Sequence, residues 1–277
     1  MTERPGGMSE LLRPAAVELL TSGALEPLGQ IREASNATLL CDIELDGQAA
    51  RCVYKPVRGE QPLWDFPDGT LAGREVASYL ISEAMGTYLI PPTVMRDGPY
   101  GPGMVQLWVE PDSAEPEDHE LEPVDLCAPD AVPDGWIPVL SARGPDGGPL
   151  VLVHSNDPAL RRLALLDLVI NNADRKGGHI LTGPGGELFG VDHGICLHSE
   201  DKLRTVLWGW ADQELFDDEL VAVEKACGAL SGDLAGDLED LITPHEIDAL
   251  SGRLRNLLDH PVFPTPDRPR PIPWPPF

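Results

Sequence analysis

The side chains best suited to chemistry in this chain fall in two short stretches: NNADRKGGHIL at residues 171–181 and VDHG at residues 191–194. A helix that ends in a charged, glycine-bearing turn and feeds a hairpin closing on Asp-x-Gly brings the two ends of that hairpin together. Asp174 can then face an incoming hydroxyl, while His179 and Asp192 converge on one metal ion. Farther upstream, Lys55 ends an apolar strand, and period-two alternation places Val53 on its own face. An ammonium there can reach a phosphate while Val53 covers an adenine ring. Glu75, early in the following helix, can pair with Lys55. The turn Ala34-Ser35-Asn36-Ala37-Thr38 offers small residues whose amides and hydroxyls can cover phosphates. Together these residues supply what phosphoryl transfer from ATP requires: donors over the phosphates, a cation between them, a carboxylate at the attacking hydroxyl, and ligands for a divalent metal.

Each residue also has a plainer role open to it. Lys55 can be a solvated strand end, Glu75 an ordinary helix residue, the 34–38 turn a polar hairpin without G-x-G-x-x-G, Asp174 a turn cap, and His179 a hydrogen-bonded core histidine. What speaks for a shared site is the order and mutual spacing of all of them.

The elements that must position these residues read as follows. A short helix is expected over 14–22, then strands near 26–33, 38–45 and 49–56, the last two joined by Asp46-Gly47 in a two-residue hairpin turn. A helix over 71–85 has Thr70 as its N-cap and Gly86 as its stop. Strands near 91–96 and 103–109 complete a β-rich lobe over 1–109. Residues 110–134 are rich in Asp, Glu and Pro and contain no Lys or Arg, a composition that cannot order itself alone, so they read as a linker or insertion. The lobe over 135–260 opens with a hairpin around 145–148. A strong helix from Pro158 to about Asn172, capped by Asp157 or Asn156, follows it. After the 178–182/187–191 hairpin, the chain is expected to be helical to about residue 260, including a Thr243/Glu246 capping box. Residues 261–277 contain eight prolines in 17 positions and must be extended or disordered. The layout is an α+β, bilobal, kinase-like one.

Composition narrows the partners. With 46 Asp and Glu against 20 Lys and Arg, the formal charge is −26. So negative a surface repels phosphate backbones and anionic headgroups, which speaks against nucleic-acid binding and against stable membrane association. Five scattered cysteines without C-x-x-C spacing suggest neither a disulfide framework nor a zinc site, and fit a reducing cytoplasm.

The segments VYKP (53–56), REVASYL (74–80), QLWVE (106–110), NADRKGGHIL (172–181) and VDHG (191–194) resemble the phosphatidylinositol 3-/4-kinase-like superfamily, most closely type II phosphatidylinositol 4-kinases. The whole chain is similar to an actinobacterial family of conserved proteins related distantly to those kinases, and HipA-type bacterial kinases share the broad fold. The resemblance implies a protein-kinase-like fold, ATP with Mg²⁺ or Mn²⁺, Lys55 on the ATP phosphates, and Ser35 and Asn36 in the phosphate-covering loop. It further implies an adenine-binding hinge over Gln106 to Val109, Asp174 as the catalytic-loop aspartate, and Asp192 as the metal aspartate. Where those kinases place a metal-binding Asn five residues after the catalytic Asp, this chain has His179, and His193 replaces the usual Phe. Imidazole suits transition metals better than Mg²⁺. Lys176 and Arg175 are expected to offset metal charge near the γ-phosphate.

Three functions follow as expectations. The first is a kinase acting on a protein Ser/Thr or a small soluble acceptor in preference to a lipid. The second is a nucleotide-binding pseudokinase scaffold whose Pro-rich tail docks a partner or folds back through Trp274 and Phe277. The third is transfer of AMP.

Overall fold

A computed structural model describes residues 12–31, 36–110, 121–144 and 146–277. The chain opens with α1 (Arg13–Ser22), followed by β1 (Ala24–Gln30), β2 (Leu39–Leu45) and β3 (Gln48–Pro56). Asp46 and Gly47, both at positive φ (51° and 81°), make the tight turn between β2 and β3. Alternation along β3 sends Cys52 and Tyr54 into a core with Leu19 and Leu20 of α1 and Cys41 and Ile43 of β2, and turns Val53 and Lys55 to the opposite face. Each fully buried Leu or Ile in this core contributes about 1.5–3 kcal/mol.

Helix α2 (Leu71–Met85) has the boundaries its end signals predict. Thr70 Oγ1 accepts the Gly73 N–H, and Gly86 closes the helix at φ 71°. The Glu60 carboxylate takes two more first-turn donors, Leu71 N at 2.9 Å and Ala72 N at 2.8 Å. The helix is buried on nearly every side, and at Gly73 a Cβ would stand 2.6 Å from the Leu241 carbonyl oxygen. Arg74 anchors it to the helical side of the molecule through Glu246 Oε1 at 2.5 Å and the Cys196 carbonyl at 2.8 Å. Strands β4 (Thr93–Gly98) and β5 (Gly101–Leu107) complete a five-stranded antiparallel sheet in the order β1-β2-β3-β5-β4.

Within the stretch read as an acidic linker, Val124–Cys127 forms β6, which pairs with β8 (Pro149–His154). With β7 (Ile137–Arg143) it makes a second sheet in the order β6-β8-β7. Its composition does forbid independent order, but β8 supplies the backbone ladder and Val124 is buried opposite His154. Helix α3 (Pro158–Ile170) is capped by Asp157 Oδ1 on the Ala159 N–H at 2.7 Å and ends at Asn171, φ 52°. The short hairpin of β9 (Ile180–Thr182) and β10 (Leu188–Gly190) follows, then α4 (Asp217–Leu230), α5 (Asp233–Glu239) and α6 (Pro244–Asp259), with the Thr243/Glu246 capping box formed.

The helix expected from 192 to 216 is absent. That segment is irregular, with Asp192, Leu197 and Asp212 at positive φ and one 3-10 turn at Trp208–Trp210. Its apolar side chains, including Leu197, Val206 and Trp210, are buried as a loop packed on α3 and α4 instead of as a helix face. Residues 261–277 contain no helix or strand, as their prolines dictate, yet they pack on the body: Phe263 is 4% exposed and joins the main core. The architecture is α+β, as expected. Among the described residues, no helix is long and apolar enough to cross a membrane.

Candidate active site

A cleft of about 530 Å³ lies between the face of the five-stranded sheet that carries Val53 and Lys55 and the loops that follow α3 and β10. Asn36, Val53, Lys55, Glu75, Gln106 and Val109 line it from one side, and Asp174, Lys176, His179 and Asp192 from the other. The predicted site residues are therefore brought together, except Arg175, which does not line the cleft, and Ser35, which lies outside the described residues.

Lys55 is the centre of this arrangement. Its Nζ stands 2.6 Å from Glu75 Oε1 and 2.7 Å from Asp192 Oδ1. Burial works against the ammonium, but the two carboxylates more than offset it and hold its pKa above the ordinary lysine range. Lys55 in turn holds the Asp192 carboxyl well below the usual carboxylate range. Burial pushes the Glu75 carboxyl up, against the pull of Lys55 and of the His193 N–H that reaches its Oε2 at 2.9 Å.

The loop after α3 is built on a buried polar network. Arg175 was expected near the γ-phosphate; instead its guanidinium is fully buried and pairs with Asp167 of α3, Nη2 to Oδ1 at 2.9 Å and Nε to both oxygens at 3.1 Å. Its Nη1 donates to the carbonyls of His179 at 3.2 Å and Val191 at 3.1 Å, and so ties both ends of the β9-β10 hairpin together. Nη2 also meets His193 Nε2 at 2.6 Å. This explains His193 in place of an apolar residue: burial and Arg175 keep its ring neutral, so it can accept from that guanidinium. Asn172 Nδ2 donates to Asp167 Oδ1 while Asn172 Oδ1 accepts the Asp174 N–H, both at 2.9 Å, and Thr205 Oγ1 donates to Asp167 Oδ2 at 3.1 Å. Asp167 and Thr205 were given no role from sequence, and Asn172 only as a member of the 171–181 stretch. Asp167 had a signal, a lone carboxylate inside the otherwise apolar stretch 163–170.

With Arg175 withdrawn, Lys176 is, among the described residues lining this side of the cleft, the remaining Lys or Arg, its Nζ 3.4 Å from Asp174 Oδ2. Burial raises the Asp174 pKa, with Lys176 opposing. His179 Nε2 lies 3.5 Å from Asp192 Oδ2, and burial lowers the imidazole pKa to about 4, so it is a neutral donor at physiological pH. Its Nδ1 is buried with no hydrogen-bond partner among the described residues. Among those residues no group of three or more His, Cys, Asp or Glu is placed to hold a metal. His179 and Asp192 are a donor pair that would hold a cation only together with phosphate oxygens and water.

Two of the expected contacts differ in detail. Gln106 lines the cleft, but its side-chain Nε2 donates to Thr93 Oγ1 at 2.9 Å. The N–H groups of Leu107 and Trp108 are taken by the carbonyls of Pro92 at 2.9 Å and Arg51 at 3.0 Å. Asn36 Oδ1 accepts the Gln61 N–H at 2.9 Å, which fastens Asn36 to the chain after β3.

No family model matches the sequence. Protein Rv2133c of Mycobacterium tuberculosis (strain ATCC 25618 / H37Rv) is 52% identical over 274 residues, covering 98% of this chain and 99% of that protein. The chain belongs to the Rv2133c family. Among solved structures, this Rv2133c-family chain aligns with the Golgi casein kinase at 14% identity and TM-score 0.47, covering 95% of this chain and 81% of the other. The same kinase with Mn/ADP bound gives 13% identity, TM-score 0.46 and coverages of 96% and 83%. The Helicobacter pylori proinflammatory kinase CtkA gives 11% identity, TM-score 0.42 and coverages of 88% and 94%. Likeness of this degree decides nothing about the activity of the Rv2133c family.

Proposed function

We propose that this protein is an ATP-dependent phosphotransferase with a protein-kinase-like arrangement, moving the γ-phosphate to an alcohol group. The observation that carries the reading is Lys55 Nζ held between Glu75 and Asp192, with Asp174 in the same cleft. A lysine fixed by a helix carboxylate, beside an aspartate whose second oxygen faces the neutral His179 imidazole, supplies two of the conditions phosphoryl transfer needs. The motif order that resembles phosphatidylinositol 3-/4-kinase-like enzymes supports the same reading.

In this proposal the adenine lies against Val53 and the Gln106 to Val109 segment, whose remaining backbone groups meet its edge. Asn36, with Ser35 beside it in sequence, covers the phosphates, and Lys55 neutralises them. His179 and Asp192 would hold Mg²⁺ or Mn²⁺, and the imidazole favours Mn²⁺; when bound, that cation screens the charge on the transferring group. Asp174, its pKa raised by burial, orients the acceptor hydroxyl and takes its proton. Lys176 neutralises charge on the acceptor side. A protein Ser/Thr or small soluble molecule is the acceptor in preference to a lipid, because the −26 charge opposes docking on an anionic membrane. The five free cysteines support a cytoplasmic location.

A nucleotide-binding pseudokinase is the second reading, favoured by the two-donor metal site and the partnerless His179 Nδ1. ATP labelled on the γ- or the α-phosphate, incubated with the protein and Mg²⁺ or Mn²⁺, separates these readings. Transfer of γ-label supports the kinase, transfer of α-label means AMP transfer, and nucleotide binding with neither means a scaffold.

A further inference from the structure

The proposed chemistry leaves residues 261–277 unused, yet their contacts converge on the catalytic loop. Arg268 pairs with Asp201 and lies over the Trp208 ring, 5.5 Å from its centroid. The Pro271 carbonyl accepts from Thr205 N at 3.0 Å and from Trp208 Nε1 at 2.9 Å. The Pro276 carbonyl accepts the Gly177 N–H at 2.9 Å. The Phe277 ring covers Gly177 so closely that a Cβ there would stand 2.2 Å from its Cε1.

These contacts reach the Asp174–Lys176 turn by two routes. Gly177 directly follows Lys176. Thr205 is bridged to Arg175: Arg175 N donates to the Arg204 carbonyl at 3.0 Å, and Val206 N to the Arg175 carbonyl at 3.1 Å. None of residues 271–277 lines the cleft. The segment thus braces the loop from outside and does not touch the space for nucleotide.

The buried Arg175 network holds the start of the turn, whereas Lys176 is followed by two glycines, the residues with the most backbone freedom, and at Gly177 the restraint comes from the tail. We propose that residues 271–277 are a strap that sets the Asp174–Lys176 geometry, with Pro276 and Phe277 as its positioning residues. Gly177 is the receptor of that strap, since any side chain there would displace the ring. The roles of Asp174 and Lys176 rest on the phosphotransferase reading, but the strap itself does not.

The test uses the full chain with Phe277→Ala, Phe277→Tyr and, as a second way to displace the ring, Gly177→Ala. Three quantities are read: hydrogen exchange of the Gly177 amide, acylation of Lys176 by an amine-reactive anhydride followed by mass spectrometry, and ATP turnover. Phe277→Ala and Gly177→Ala are expected to speed exchange and Lys176 acylation severalfold. They are also expected to lower kcat about tenfold with the KM for ATP unchanged, the effect of a small misplacement. Phe277→Tyr restores all three. Wild-type exchange and acylation in Phe277→Ala would overturn the proposal, and so would faster exchange with undiminished kcat. If the wild-type protein transfers no phosphate, the phosphotransferase reading falls alone. The Lys176 acylation ratio between Phe277→Ala and Phe277→Tyr then decides the strap, a ratio of one overturning it.

Discussion

Asp167 and Arg175 form a fully buried ion pair, Nη2 to Oδ1 at 2.9 Å, directly beneath the loop that carries Asp174. The pair is saturated: Asn172 and Thr205 also donate to Asp167, and Arg175 reaches two carbonyls and His193. Such a network contributes little as net attraction, since both charges have left water. Removing one partner strands the other.

Asp167→Ala should therefore destabilise the protein by about 3–5 kcal/mol, the cost of an uncompensated buried charge. Urea unfolding followed by circular dichroism measures it. A loss under about 1 kcal/mol would mean that water enters and solvates Arg175.

Lys55→Met keeps most of the length of the side chain and removes the charge between Glu75 and Asp192. Phosphate transfer should fall about 10²–10³-fold in kcat, the range for loss of one preorganised charge-stabilising group. The check is γ-label transfer at saturating ATP. Wild-type turnover in Lys55→Met would remove Lys55 from the chemistry.

The metal assignment is tested through binding. With ATP and Mn²⁺ at 100 times the dissociation constant, the folded state gains about 2.7 kcal/mol, read as a rise in Tm. Asp192→Ala should abolish the metal-dependent part of that rise while leaving a smaller shift from nucleotide alone. A full metal-dependent shift in the variant would place the cation elsewhere.

Acid should weaken the fold between about pH 6.5 and 4. Burial lowers the pKa of His154, His193 and His179, the last to about 4, so the unfolded chain takes up protons in that window that the folded chain refuses. The imidazole contribution consequently rises with pH there and is lost as pH falls, with the raised Glu75 and Asp174 carboxyls opposing it. Asp192 works in the same direction lower down: its depressed pKa contributes stability above the unfolded value near ~4, lost as pH falls toward the folded one. Denaturant midpoints at pH 7, 6 and 5 should decrease in that order; a flat series would contradict the burial of these imidazoles.

Activity has its own acid limb. In the proposed chemistry Asp174 is a base only when ionised, and its raised pKa moves that limb above the ordinary aspartate range. The pH profile of kcat/KM for ATP and acceptor should lose its lower limb in Asp174→Asn, together with most of the rate.

Much of the molecule is legible in the residues themselves. Helix α2 runs from Leu71 to Met85 because Thr70 and Gly86 are local signals, and the β2-β3 turn follows from Asp46-Gly47 in the same way. Strand parity alone puts Val53 and Lys55 on one face. A hairpin that returns on itself anticipates that Asp174 and Asp192 meet, while the joining of Lys55 and Glu75 to them followed from the order and spacing of motifs that resemble a known kinase superfamily. These are short-range rules, decided within a few residues of chain.

What the tertiary structure decided depends on distant partners. Arg175 reads like a phosphate ligand beside Lys176, but Asp167 draws it into the core, because a buried carboxylate needs a cation more than the cleft does. The stretch 192–216 carries apolar spacing that suits a helix, yet it packs as a loop on elements contributed by other parts of the chain. Residues 124–127 are a strand only because β8 offers its edge. The proline-rich tail is extended by its own composition, whereas its seat on Gly177 is set by a glycine about a hundred positions away, a pairing no local pattern encodes. Backbone preference is local, while charge neutralisation, ladder pairing and ring packing are settled by whatever the fold brings within a few ångströms.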